Sequence, residues 1–129
     1  MTDAEPCIAV VDDEAPVRIA IRRLLRLADY GVSAFGSGEE FLASLEVRRP
    51  ACVILDVHMP TLSGFDVQSR LRAAHVQVPV VFITASDDAS LGETALRLGG
   101  VALLRKPFSN DQLLEAVDVA LHCDPPCAS

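Results

Sequence analysis

Five polar residues stand at the ends of short, mainly apolar runs of this sequence: Asp12, Asp13, Asp56, Thr84 and Lys106. The apolar runs have the length of β-strands. In open parallel α/β sheets, ligands bind beyond the carboxyl ends of the strands, at the point where the strand order reverses. If the runs are strands of one such sheet, these side chains converge on a single edge.

Three carboxylates brought together repel one another, and a hard divalent cation offsets that repulsion. Mg²⁺ prefers a few carboxylates together with waters and phosphate oxygens. With one carboxylate left as nucleophile, such an ion also neutralises the oxygens of an incoming phosphoryl group. Carboxylate attack on phosphorus gives an acyl phosphate. The Lys106 ammonium and the Thr84 hydroxyl would contact the same group. The set therefore indicates phosphoryl transfer onto an aspartate.

Each of these residues also has an ordinary interpretation. Asp12 and Asp13 would be favourable at the positive end of a following helix. Asp56 suits a turn, Thr84 suits a strand, and Lys106 suits a solvated surface. The hypothesis of a site depends on their joint placement at successive strand ends, because each residue alone is a weak indication.

Short apolar runs alternate with amphipathic segments along the chain. The predicted strands are 8–11, 32–35, 51–55, 79–84 and 101–104. The predicted helices are 15–28, 37–45, 64–75, 88–98 and 109–121. This alternation indicates right-handed βαβ units and a parallel sheet. The strands are almost continuously apolar, which is typical of a sheet covered by helices on both faces.

Helix starts are marked by polar residues at capping positions. Ser37 with Glu40, and Ser109 with Gln112, have the spacing of capping boxes. Asp88 is expected to cap the fourth helix. These positions place the helix starts close to the predicted strand ends.

Composition limits the classes of function. The chain has 129 residues and a formal net charge of −7, which fits one domain and disfavours direct binding to nucleic acid or anionic membrane. No run approaches the length of a membrane span and no secretory leader is visible, so we expect a cytoplasmic protein.

The cysteines of a cytoplasmic protein should be reduced, and we expect Cys52 to be buried. A metal site of His122, Cys123 and Cys127 has non-standard spacing, and a frayed tail is the default interpretation.

At the strand-end residues the sequence resembles the response-regulator receiver family of two-component signalling. The matching stretches are 10–14 (VVDDE), 53–60 (VILDVHMP) with 63–64 (SG), 83–85 (ITA) and 106–108 (KPF). The resemblance covers 8 to about 121. The stretch 103–108 and the short fourth helix are most similar to receivers of FixJ-type transcription regulators.

The resemblance implies a flavodoxin-like (βα)5 doubly wound sheet with strand order 2-1-3-4-5. It implies a receiver domain over 6–122 and a short tail over 123–129. It assigns Asp56 as the phosphoacceptor, with Mg²⁺ held by Asp13, Asp56 and the backbone carbonyl of His58, and with Asp12 helping directly or through water. Thr84 and Lys106 would contact the phosphoryl group, and the Lys106–Pro107 bond would be cis.

Two residues depart from the family pattern. The family commonly has an aromatic residue three positions before the lysine, coupled to the hydroxyl of the fourth strand, and this sequence has Leu103 there. This chain therefore lacks the residue on which the usual aromatic readout depends. His58 should overhang the site, where it either influences hydrolysis of the acyl phosphate or is a surface imidazole without a role.

The implied partner is a histidine kinase or a phosphotransferase. Arg18, Arg22 and Arg26 recur every four residues on the first helix, as a basic stripe for an acidic partner or as an ordinary solvated face.

Phosphorylation is expected to repack the fourth helix, whose intrinsic stability Gly92 lowers. A homodimer through the fourth helix, fifth strand and fifth helix is possible by analogy. No DNA-binding segment is recognised, and a stand-alone receiver and a fragment of a transcription factor both stay open.

Two other classes of function compete with this interpretation. A phosphatase that forms an aspartyl phosphate would need a second aspartate two residues after the nucleophile, and His58 stands there. An interaction module that keeps only the fold would not need the complete set of five polar residues. We therefore expect no enzyme activity beyond self-phosphorylation and slow self-dephosphorylation.

Overall fold

A computed structural model describes residues 7–122 of the chain. The expectations about 1–6 and the 123–129 tail, including Cys123 and Cys127, lie outside these residues. Its strands are β1 (Cys7–Val11), β2 (Gly31–Phe35), β3 (Cys52–Asp56), β4 (Val80–Thr84) and β5 (Ala102–Arg105). They form one parallel sheet in the order β2-β1-β3-β4-β5, which confirms the predicted topology.

Helices alternate with the strands as the sequence indicated. They are α1 (Ala15–Leu27), α2 (Gly38–Ser44), α3 (Gly64–Ala73), α4 (Ser90–Arg97) and α5 (Asn110–Leu121). The third helix ends two residues before the expected position, and His75 just beyond it has a φ of 60°. That left-handed conformation does not continue a right-handed helix. Of the helices in residues 7–122, none is long and apolar enough to cross a membrane.

The strands bury both faces because their apolar side chains alternate between two hydrophobic clusters. One cluster includes Val53, Leu55 and Phe82 and packs with α2, α3 and α4. The other includes Ile54 and Ile83 and packs with α1 and α5. Side chains of successive strand residues point to opposite faces, so this sandwich requires apolar residues at every central position of β3 and β4.

Capping interactions fix several helix starts. Ser109 and Gln112 form the predicted capping box. The expected box at Ser37 is only half present: its hydroxyl accepts the Glu40 N–H, but the Glu40 carboxylate accepts the N–H of Gly36 instead of the N–H of Ser37. Glu40 therefore connects the first turn of α2 to Gly36, directly after β2.

Candidate functional site

Strand register brings the predicted residues to one edge of the sheet. Val11 of β1 is paired with Leu55 of β3, so Asp12 and Asp56 follow at the same level. In the neighbouring pairs, Asp56 lies opposite Ile83, and Thr84 lies opposite Arg105. The sheet edge therefore carries all five predicted residues, since Asp12 and Asp13 follow the end of β1 and Lys106 follows the end of β5.

Asp12 is held in a fixed position by the chain around it. Its side chain is fully buried, and Oδ1 accepts the Glu14 N–H at 2.9 Å. Its own N–H donates to the carbonyl of Phe35 at 3.1 Å, and its carbonyl accepts from Arg18 Nη1 at 2.8 Å. These bonds make the β1–α1 turn a rigid support for its carboxylate.

Lys106 reaches into the same edge from the end of β5. Its Nζ lies 3.0 Å from Asp12 Oδ2, 3.1 Å from Glu14 Oε1 and 3.7 Å from Asp56 Oδ2. The Lys106 N–H donates to the Thr84 carbonyl at 2.7 Å, and the peptide bond to Pro107 is cis, as the resemblance implied. Burial alone would lower the pKa of Lys106, but the carboxylates of Asp12, Glu14 and Asp56 raise it above its usual value. The amine is therefore a fixed positive charge.

Asp56 is an unusual carboxyl group because it is buried beside another one. Only 3% of its surface is exposed. Burial, followed by the charge of Asp12, raises the pKa of Asp56 from 3.8 to about 7, while Lys106 and the N–H of His58 act in the opposite direction. A cation beside Asp56 would therefore favour the charged form of this carboxyl group near neutral pH.

Asp12, Asp13 and Asp56 are arranged so that one carboxylate oxygen from each lies within 4.8 Å of the others. Asp13 is exposed, which leaves one side of the cluster open to solvent. Three hard oxygen donors, two of them buried, fit Mg²⁺ in donor type and charge. His58 is exposed, and its backbone N–H is one of the groups that lower the pKa of Asp56; the metal-binding role of its carbonyl stays a prediction.

Thr84 connects the edge of the sheet to α4. Its hydroxyl is buried and accepts the Ser86 N–H at 3.0 Å. The Ser86 hydroxyl accepts the Asp88 N–H at 3.1 Å, and the Asp88 carboxylate accepts the N–H and hydroxyl of Ser90. The helix begins at Ser90 with Ala89 at its N-cap position, so Asp88 accepts the Ser90 N–H from one residue before the predicted cap position, and the Ser90 donors lower the pKa of Asp88. The sequence analysis expected phosphorylation to act on α4, but it did not predict the hydrogen bonds that join Thr84, Ser86 and Asp88.

Sequence reasoning also missed two residues that support the site. Glu14 was seen only as the last residue of the matching stretch 10–14, yet it pairs with Lys106. Arg18 was assigned to the basic stripe, yet its guanidinium binds the Asp12 carbonyl and lies near Gly36, where an added Cβ would be 3.3 Å from Nη1. Arg22 and Arg26 are exposed on α1. Leu103, at the position of the usual aromatic residue, is half-buried against the cluster that contains Phe82.

Comparison with known proteins gives consistent results. A family model described as the response regulator receiver domain matches residues 8–118. The response regulator protein TodT of Pseudomonas putida is 35% identical over 125 residues, which cover 97% of this chain and 55% of that protein. This chain spans about half the length of the curated relatives that it matches.

Solved structures agree with the fold. The crystal structure of FixJ-N is 29% identical and superposes with a TM-score of 0.86, over 96% of this chain and 98% of that one. A response regulator receiver protein from Burkholderia phymatum is 48% identical, with a TM-score of 0.83 over 95% of this chain and 99% of that one. The similarity therefore extends over nearly the whole described chain.

Proposed function

We propose a mechanism for this chain on the premise that it belongs to the response regulator receiver domain family and so has the phosphoacceptor role of two-component signalling. Response regulators receive phosphoryl groups from histidine kinases, and receiver domains generally use Mg²⁺ at an acidic pocket. In this chain we propose Asp56 as the acceptor. The observation that carries the proposal is the burial of Asp56 between Asp12 and Lys106.

In the proposed reaction, a carboxylate oxygen of Asp56 attacks the phosphorus of a phosphohistidine. The bond from phosphorus to the histidine nitrogen breaks, the donor imidazole takes the electron pair, and Asp56 becomes an acyl phosphate. Lys106 offers its ammonium to the phosphoryl oxygens, and the Thr84 hydroxyl turns towards them. Asp12, Asp13, Asp56 and the carbonyl of His58 would hold Mg²⁺, which supplies charge neutralisation to the transferring group.

The proposed switch runs from Thr84 into α4. When the Thr84 hydroxyl turns towards a phosphoryl oxygen, it ceases to accept the Ser86 N–H, and the contacts of Ser86 with Asp88 are disturbed in turn. Leu103, which is half-buried, stands at the position of the usual aromatic residue. The structural response to phosphorylation would therefore take place in α4 itself. Repacking of α4 would change the surface formed by α4, β5 and α5.

The remaining proposals concern context. The donor would be a histidine kinase or a phosphotransferase, acting in the cytoplasm. A homodimer would use the surface of α4, β5 and α5, and the acidic charge disfavours direct DNA binding by this segment. We propose domain limits of 6–122, followed by a short tail. Receiver domains are generally not enzymes with a separate substrate, and we propose that only self-phosphorylation and slow self-dephosphorylation occur here.

Incubation with Mg²⁺ and acetyl phosphate, followed by intact-mass measurement, tests the proposal. The expected result is one phosphoryl adduct that is absent without Mg²⁺ and absent in Asp56→Asn. Glu39→Gln, which changes an exposed side chain of α2, is the matched control and should form the adduct normally. An adduct that persists in Asp56→Asn, or steady turnover of an added phosphomonoester, would contradict the proposed function.

A further inference from the structure

The ammonium of Lys106 is shared between three carboxylates, and Asp56 is the most distant of them. Asp12 and Glu14 lie at 3.0 and 3.1 Å from Nζ, whereas Asp56 lies at 3.7 Å. The first two distances are those of charge-assisted hydrogen bonds. Because an ammonium has three donors, two of them are engaged away from the proposed acceptor.

Glu14 differs from the other two carboxylates in its surroundings. Its side chain is 58% exposed, whereas those of Asp12 and Asp56 are 0% and 5% exposed. It is also absent from the cluster of carboxylates that converge on a candidate metal position. Glu14 therefore contacts the lysine without belonging to the proposed metal site.

A phosphoryl group on Asp56 would need the ammonium that Glu14 now binds. The new negative oxygens would attract Nζ towards Asp56, and the Glu14 contact opposes that movement. The Glu14 contact opposes this movement only weakly, because an exposed ion pair contributes little stability and is screened by salt. The Glu14 contact nevertheless acts on Lys106, which among the described residues is the lysine whose amine lies within ion-pair distance of Asp56.

We propose that Glu14 is a positioning residue that holds the Lys106 ammonium away from Asp56 and so slows phosphorylation of this site. The proposal rests on the proposed function of Asp56 as acceptor. Removal of the Glu14 charge leaves Lys106 free to follow the incoming phosphoryl group. The effect passes through Lys106 and requires no contact between Glu14 and the donor.

The test compares wild type, Glu14→Gln, Lys106→Gln and the double variant with Mg²⁺ and acetyl phosphate. Glu14→Gln should raise the rate constant of adduct formation about two- to fivefold at low salt. The increase should disappear at about 1 M salt, where the screening length is about 3 Å. In the Lys106→Gln background, the Glu14 substitution should have no effect. Glu39→Gln, with the same loss of charge, should react like wild type.

A rate that is unchanged or lower in Glu14→Gln would overturn the proposal, as would an equal increase in the Lys106→Gln background. A second measurement needs neither Mg²⁺ nor donor: the urea midpoints of the four proteins should be non-additive, because the two side chains interact directly. Additive midpoints would contradict the pairing. Failure of the proposed function itself would look different, since wild type would then form no adduct at Asp56.

Discussion

The carboxylate of Asp56, the last residue of β3, lies beside that of Asp12, which directly follows the neighbouring strand β1, and both residues are almost completely buried. Their exposed fractions are 3% and 0%. Two like charges in such a place can be tolerated only with a proton, a cation or the partial compensation that Lys106 provides. We therefore expect the stability of the folded state to depend on pH and on metal ions.

The first prediction concerns the pH dependence of stability. The pKa of Asp56 is raised from 3.8 to about 7, so between these values the folded chain keeps a proton that the unfolded chain has lost. The free energy of unfolding must then fall as pH rises through this range. Asp56→Asn removes this dependence. Without Mg²⁺, its gain in stability over wild type should be larger at pH 8 than at pH 5, by about 1–3 kcal/mol.

Urea unfolding of both proteins at the two pH values measures this difference. Other titrating groups are common to the pair and largely cancel. An equal effect of Asp56→Asn at pH 5 and pH 8 would show that the carboxyl group titrates normally in the folded protein.

The second prediction concerns Mg²⁺. Because the Asp12, Asp13 and Asp56 oxygens converge only in the folded chain, free Mg²⁺ at ten times its dissociation constant should stabilise wild type by about 1.4 kcal/mol. Asp13→Asn should lose most of this gain while folding normally, because Asp13 is exposed. Thermal or urea unfolding with and without Mg²⁺ gives the comparison, with Glu39→Gln as control. Full Mg²⁺ stabilisation of Asp13→Asn would exclude that carboxylate as a ligand.

The third prediction concerns the Thr84 hydroxyl. Thr84→Val keeps the shape of the side chain but leaves the Ser86 N–H without its acceptor. We expect a loss of about 1 kcal/mol of stability and faster hydrogen exchange at the Ser86 amide. Thr84→Ser retains the hydroxyl and should keep the exchange slow. Equal hydrogen exchange at the Ser86 amide in Thr84→Val and Thr84→Ser would show that this hydrogen bond does not stabilise the β4–α4 loop.

The fourth prediction concerns Gly92 in α4. A Cβ at this position would meet nothing within 4 Å, so Gly92→Ala should stabilise the helix by about 0.5–1 kcal/mol. In wild type, hydrogen exchange in α4 should slow on phosphorylation. In Gly92→Ala it should already be slower before phosphorylation, and the further change should be smaller. Wild-type exchange that does not respond to phosphorylation would contradict the proposed role of α4.

The elements of the fold were predictable because each carries a local pattern. Apolar runs such as 79–84 ended where the strands end, and Ser109 with Gln112 marked a helix start that the structure confirms. Ser63 and Asp66 form another capping box whose spacing was present but not used. The strand order came from the family resemblance, since local patterns contain no information on which strands are neighbours.

The convergence of the site residues was predictable, but their pairing was not. Strand ends place Asp12 and Lys106 at one edge, yet spacing cannot tell which carboxylate an amine will choose. Glu14 and Arg18 illustrate this: Glu14 pairs with Lys106, which is 92 positions away in the sequence, and Arg18 turns back to bind the backbone carbonyl of Asp12. Such choices depend on side-chain reach and on burial, which exist only in the folded chain.

The sheet lies between two hydrophobic clusters that have no side chain in common. Substitutions in the layer of α2, α3 and α4 should therefore be close to additive in free energy with substitutions in the layer of α1 and α5. The two layers share only the backbone of the sheet, so the position of the strand ends depends on both.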